Sequence, residues 1–209
     1  MPLVPNMKLS SLFEMPTLIN KELSVYKDRF QPFYSSDSVE KMFDVVWRQS
    51  DKPESYCVLI EKDRTFAVWG IMTTDPKREG VEGVEIISIV DFKDGLNIKT
   101  TIPFDPANTL QIDLVQTTKR SQQAGIATEL YLKLAHAGFT IISDNEQWIG
   151  GMKLWKKLAK VSVLDKHAKV FLLRYNKLKP YNGINIPDDE IWSEDSKHKY
   201  TLFVLKSTI

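Results

Sequence analysis

The stretch of this 209-residue chain with the most chemical content runs from Asp113 to Thr128. Leu110–Val115 largely alternates apolar and polar residues, as a half-buried strand does, and leads into a polar loop, Gln116–Ser121. Gln122-Gln123-Ala124-Gly125-Ile126-Ala127 then opens a helix. The first turn of a helix leaves N–H groups unpaired and carries partial positive charge. A glycine there removes the side chain, so an anion can come close to the backbone. Ala127 keeps the second approach position small, and Lys119 and Arg120 add charge upstream. Such a turn can cradle a phosphate or pyrophosphate. The plain alternative is an ordinary helix start with a glycine for tight packing. The loop lacks the Gly-Lys-Ser/Thr ending of a P-loop and the three-glycine spacing of a dinucleotide fingerprint.

The elements around this segment follow from periodicity. Residues 1–35, interrupted by Pro2, Pro5, Pro16 and Pro32, read as an extended lead-in with a short helix. Asp37 with Glu40 resembles a capping box, and Val39, Met42, Phe43, Val46 and Trp47 then fall on one helix face, ended by Asp51-Lys52-Pro53. Cys57–Ile60 and Phe66–Met72 read as a hairpin, Val84–Phe92 as a strand, and Leu96–Ile102 as a continuation of the meander. After Gly125 come a helix ending at Gly138, a short strand Phe139–Ser143, and a helix capped by Asp144 or Asn145. That helix sets the stripe Trp148, Met152, Trp155, Leu158/Ala159 against a face of Lys153, Lys156, Lys157 and Lys160. Val170–Tyr175 and Tyr200–Leu205 are the last strands. Strands first and a βαβ unit later predict one α/β domain on a mixed sheet, with a parallel right-handed crossover at the motif. Residues 1–54 form an extension and first helix, and residues 55–206 the core.

Gln122-x-x-Gly125-x-Ala127 resembles the Gln/Arg-x-x-Gly-x-Gly/Ala signature of the GNAT acetyltransferase superfamily. The context is similar too: a strand before the motif, an amphipathic helix after it, then a short strand and a second helix with Leu154-Trp155-x-x-Leu158. The likeness covers residues 55–206 as an order of elements and 110–160 residue by residue. It implies a GNAT-like fold, a mostly antiparallel sheet with a parallel βαβ unit at the motif. It also implies acetyl-CoA as co-substrate, with the backbone amides of Gln122, Gln123, Ala124, Gly125, Ile126, Ala127 and Thr128 on its pyrophosphate. The pantetheine arm would lie along the preceding strand at Val115 and Thr117, where the sheet splays open. The acceptor is an amine of a small molecule or a protein, and a carboxylate near that strand takes its proton. Asp113, placed by simple alternation on the face of Val115 and Thr117, is the candidate base, and a solvent-facing strand Asp is the alternative.

Two departures bear on activity. Trp155 stands where many members place a Tyr that protonates the leaving thiolate, and an indole cannot serve. That proton then comes from Ser143 or water, or the chain is no efficient transferase. Trp148 and Gly151 stand where many members have Asn and Ala. The run Ser143-Asp144-x-x-Gln147-x-x-Gly150-Gly151-x-x-Leu154-Trp155 is similar to a variant in some phage-encoded GNAT-like proteins. The second reading is therefore a GNAT-like binding, structural or regulatory module without catalysis.

Composition sets the outer limits. At 43% hydrophobic and 26% charged, the chain is an ordinary globular mixture. Lys+Arg 28 against Asp+Glu 27 leaves a net charge of +1, which gives no overall pull toward nucleic acid or anionic membrane. The single Cys57, in an apolar strand, reads as a buried thiol in a reducing compartment. His136, His167 and His198 lack metal-ligand spacing, so no metal is expected. No apolar run approaches the ~18 residues of a membrane span, and no signal peptide is evident, so the expected compartment is the cytoplasm. Trp192 and Tyr200, flanking the acids Asp188-Asp189-Glu190, are candidates for lining an acceptor site. The acceptor is not specified, and a homodimer is compatible with the sequence.

Overall fold

The computed structural model describes residues 33–49, 55–75, 77, 80–98, 100–118, 125–144, 149–192 and 201–208. The elements are β1 (Phe33–Ser35), α1 (Ser36–Met42), β2 (Phe43–Arg48), β3 (Tyr56–Glu61), β4 (Phe66–Thr74), β5 (Glu82–Phe92) and β6 (Thr109–Thr117). Then follow α2 (Ile126–His136), β7 (Thr140–Ile142), α3 (Ile149–Leu164), β8 (Ala168–Arg174), β9 (Lys177–Pro180), α4 (Asp188–Ile191) and β10 (Leu202–Ser207). The strands form one open mixed sheet in the order β2-β3-β4-β5-β6-β7-β10-β8-β9, with β1 paired to β5. Every pairing among the described strands is antiparallel except β6 with β7, the two strands joined through α2. β10 enters between β7 and β8, an order that the sequence pattern does not specify.

Each face of the sheet has its own core. On one, α2 and α3 bury Leu130, Tyr131, Leu134, Trp155 and Leu158 against Val58, Trp69, Val90, Leu110, Ile112 and Phe203. On the other, Tyr34, Phe43, Leu59, Phe66, Val68 and Ile89 pack together, with Val39 and Met42 of α1 against them. Among the described residues no helix is long and apolar enough to cross a membrane.

Three expectations about elements are corrected. The helix predicted through Trp47 ends at Met42, and Phe43–Arg48 is an edge strand. The run Phe-Asp-Val-Val-Trp-Arg is β-branched and aromatic, and pairing with β3 gives its side chains partners on both faces. Phe43 meets Tyr34 edge-on at 5.1 Å, while Trp47 stacks on Trp69 at 5.4 Å. The cap of α1 is Ser35, whose Oγ accepts from the Ser38 amide, rather than Asp37. Residues 96–102 form no strand among those described; Lys93–Asn108 is an irregular connection beginning at a positive-φ Gly95 and broken by Pro103 and Pro106. The sequence pattern also passes over the short β1 and β9. Residues 1–32, most of the predicted lead-in, lie outside the described residues, as do Asp51-Lys52-Pro53; the last three residues of the lead-in are β1.

Candidate functional site

The site is organised by β6. Its upper half, Ile112–Thr117, pairs with β5. Its pairing with β7 covers only Thr109–Gln111. Beyond Gln111 the two parallel strands part, and the sheet opens along the C-terminal half of β6. A β-bulge sits at the parting point. Leu114 pairs with Asp91 and Ile112 with Phe92, so Asp113 is the extra residue. Bulges bend a strand and end its pairing, which accounts for the divergence. The Thr118 amide donates to Ile87 O at 2.8 Å. Peptide groups alternate sides along a strand, so Leu114 and Gln116 turn theirs to β5, and Val115 and Thr117 turn theirs to the opening. Val115 and Thr117 thus lie on the stretch of β6 beyond its pairing with β7.

The bulge also corrects the expectation for Asp113. Ile112 belongs to the helix-side core and Val115 packs against that same core, although they are three residues apart. The extra residue absorbs the odd spacing. Asp113 thus leaves the face shared by Val115 and Thr117 and projects from the side opposite α2 and α3. Its carboxylate is exposed, at the apex of the opening.

The helix start lies at the open end of β6. Gly125 is the N-cap of α2, in the left-handed conformation at φ 76°, ψ 15°, which L side chains rarely adopt. Gly138, at φ 96°, ends the same helix as the sequence predicts. Ile126 and Ala127 are half-buried and Thr128 is buried. Gln122, Gln123 and Ala124 lie outside the described residues, as do Lys119, Arg120 and Trp148. Lys157, on the lysine face of α3, lies close to this helix start. A Cβ placed on Gly125 would stand 2.6 Å from the Lys157 Nζ. An ammonium there faces the positive end of α2, an unfavourable like-signed arrangement on its own. Lys157 makes no ion pair among the described residues, whereas Lys156 holds Asp188 at 2.7 Å. Leu154 lies one turn before Lys157 and packs on the helix-side core, which was the sequence signal that this flank turns inward.

Ser143 is fully buried and committed to the main chain. Its Oγ donates to Asp144 O at 3.1 Å and accepts from the Phe203 amide at 3.0 Å, stitching β7 to β10. Trp155 is core: it stacks on Phe203 at 5.2 Å and 13° and lies 5.8 Å from Tyr131. Burial pushes the Tyr131 hydroxyl far above its ordinary value. Trp192 stacks on Phe203 as well, at 5.4 Å, with its Nε1 buried and unpartnered; Tyr200 lies outside the described residues. The Tyr181 hydroxyl, buried beside Phe203, is pushed up to about 12, first by desolvation and then by the Asp188 charge.

Elsewhere, Cys57 is buried as expected. Desolvation, outweighing the charge of Arg48 and a contact with Gly70 O, pushes its thiol up to about 11. The structure brings His136 and His167 together, ring centroids 5.8 Å apart, although 31 residues separate them in the chain. His136 Nε2 lies 2.8 Å from Asp165 Oδ2. Among the described residues no group of His, Cys, Asp and Glu is arranged to hold a metal ion.

Compared with known proteins, the chain matches no family model, no curated protein and no solved structure.

Proposed function

We propose that this chain is an acyl-CoA-dependent N-acyltransferase of the GNAT type, moving an acetyl group from acetyl-CoA to an amine. The observation that carries the reading is Lys157 Nζ set over the left-handed Gly125 at the start of α2, beside the opening between β6 and β7. Two positive features face each other there, and a bound phosphate oxygen between them would turn a repulsion into two attractions. The strand order supports the same reading, since the one parallel pair among the described strands flanks the motif helix and parts at a bulge. In this reading the amides from Gln122 to Thr128 and the Lys157 ammonium hold the diphosphate. The pantetheine amides bond the peptide groups of Val115 and Thr117 as a strand would.

The acceptor nitrogen then attacks the thioester carbon from the face of the sheet opposite α2, where Asp113 projects. The C–N bond forms, the C–S bond breaks, and the ammonium proton passes to Asp113 directly or through water. The CoA thiolate takes its proton from water, because the Ser143 hydroxyl is spent on Asp144 O and Trp155 has no proton to give.

One observation favours the second reading, a GNAT-like module that binds CoA without catalysis: the helix that should present an acid to the thioester presents Trp155, locked in the stack on Phe203. Titration with acetyl-CoA, followed by acetyl transfer to a panel of small amines and lysine peptides, separates the two. Binding with transfer supports the enzyme, binding without transfer to any amine supports the module, and no binding at high micromolar ligand removes both.

A further inference from the structure

A second cavity, of about 460 Å³, lies at the other end of β6, between the β3–β4 turn (Asp63–Thr65), the start of the β5–β6 connection (Lys93–Leu96) and Thr109–Gln111. Nine residues of strand put it about 25 Å from the Gly125 end. Its wall includes the stretch of β6 that pairs with β7, whereas the opening starts beyond Gln111, so it is a separate site.

Its chemistry is ordered by depth. Gln111 is 1% exposed; its Oε1 accepts from the Asn97 amide at 2.7 Å, and its Nε2 is buried with no partner. A buried amide donor left unpaired costs on the order of 1–3 kcal/mol, which favours an oxygen acceptor arriving there. The two cations on the wall already have carboxylates. Lys93 Nζ lies 2.6 Å from Asp144 Oδ1, and the Arg64 guanidinium lies 3.4 Å from Asp44 Oδ2 and over the Phe139 ring. Asp63 and Asp94 are exposed at the mouth and have no ion-pair partner among the described residues. The charge left unanswered around the cavity is therefore negative and sits outermost, while the unanswered donor sits innermost.

We infer that this cavity binds a small polar amine, with its ammonium between Asp63 and Asp94 and an oxygen acceptor a few bonds away on Gln111 Nε2. The inference does not depend on the acyl-transfer reading.

The test is calorimetric titration of the full chain with glucosamine and glycinamide at millimolar concentration, with glucose and ethylamine as controls lacking the ammonium or the acceptor. Both amines should bind, and each control at least tenfold more weakly. Asp94→Asn, an exposed change, should weaken both amines several-fold, and Gln111→Leu about tenfold, with acetyl-CoA titration unchanged in Asp94→Asn. Should Gln111→Leu not fold, Asp63→Asn provides the second mutant arm. No heat from either amine at 10 mM-order concentration, equal binding of the controls, or amine binding unmoved by the Asp variants would overturn the inference.

Discussion

The Lys157 ammonium lies where a Cβ on Gly125 would point, so a side chain of the same sign as the helix end sits over the α2 N-terminus, while Glu129 in the first turn carries the opposite sign. In the ligand-free protein this contact should cost stability. Replacing Lys157 by Gln is expected to raise the unfolding free energy by about 0.3–1 kcal/mol, the usual worth of one charge at a helix end. Denaturant unfolding at low salt measures it, and the gain should fade as salt is added. A loss of stability in Lys157→Gln would mean that the ammonium is held by something other than the helix terminus.

Asp113 is exposed at the bulge and carries no packing, so its role can be isolated. Asp113→Asn should leave the melting temperature and acetyl-CoA affinity unchanged and lower acetyl transfer by about 10²–10⁴, the span of general-base contributions. Transfer at the wild-type rate would return Asp113 to an ordinary surface residue.

Ser143→Ala tests the assignment of the thiolate proton to water. The substitution strips the Phe203 amide of its acceptor inside the core, so unfolding should come about 1–3 kcal/mol easier. At a temperature where the variant is folded, kcat should match the wild type. A fall in kcat with acetyl-CoA affinity intact would make Ser143 the proton donor after all.

The far end of α2 has its own pH dependence. Burial by itself would raise the Asp165 carboxyl, but the His167 amide at 2.7 Å, the His136 ring and the Ala168 amide at 3.0 Å outweigh it and hold the group below its usual range. A depressed carboxyl contributes stability above its unfolded value, near 4, and loses it as pH falls through the folded one. Asp165→Asn should therefore be less stable than wild type at pH 6, with the gap closing below about pH 4. Unfolding curves across that range decide it; a gap constant with pH would mean that Asp165 acts only as a hydrogen-bond acceptor.

What could be read from the residues follows a physical line. Gly125 and Gly138 were legible because a positive φ at a helix boundary singles out glycine. The strand character of Leu110–Val115 showed in its alternation, but the side on which Asp113 lies did not. That side depends on the slip between Leu114–Asp91 and Ile112–Phe92, a property of two strands together. Phe43–Trp47 fits a helical and an extended period equally over so few residues, and only β3 decides between them. Lys157 reaches Gly125 because Tyr131 and Trp155 pack the two helices together, a contact between segments that local pattern does not contain.

The measurement that bears most directly on the central claim is calorimetric titration with acetyl-CoA of the full chain and of two variants, Lys157→Glu and Gly125→Glu. Wild type should bind in the micromolar range. Each variant, which sets a carboxylate where the diphosphate should lie, should bind at least tenfold more weakly while remaining folded by circular dichroism. Wild-type affinity in both variants, or no binding by the wild type at high micromolar acetyl-CoA, would contradict a cradle built from Gly125 and Lys157.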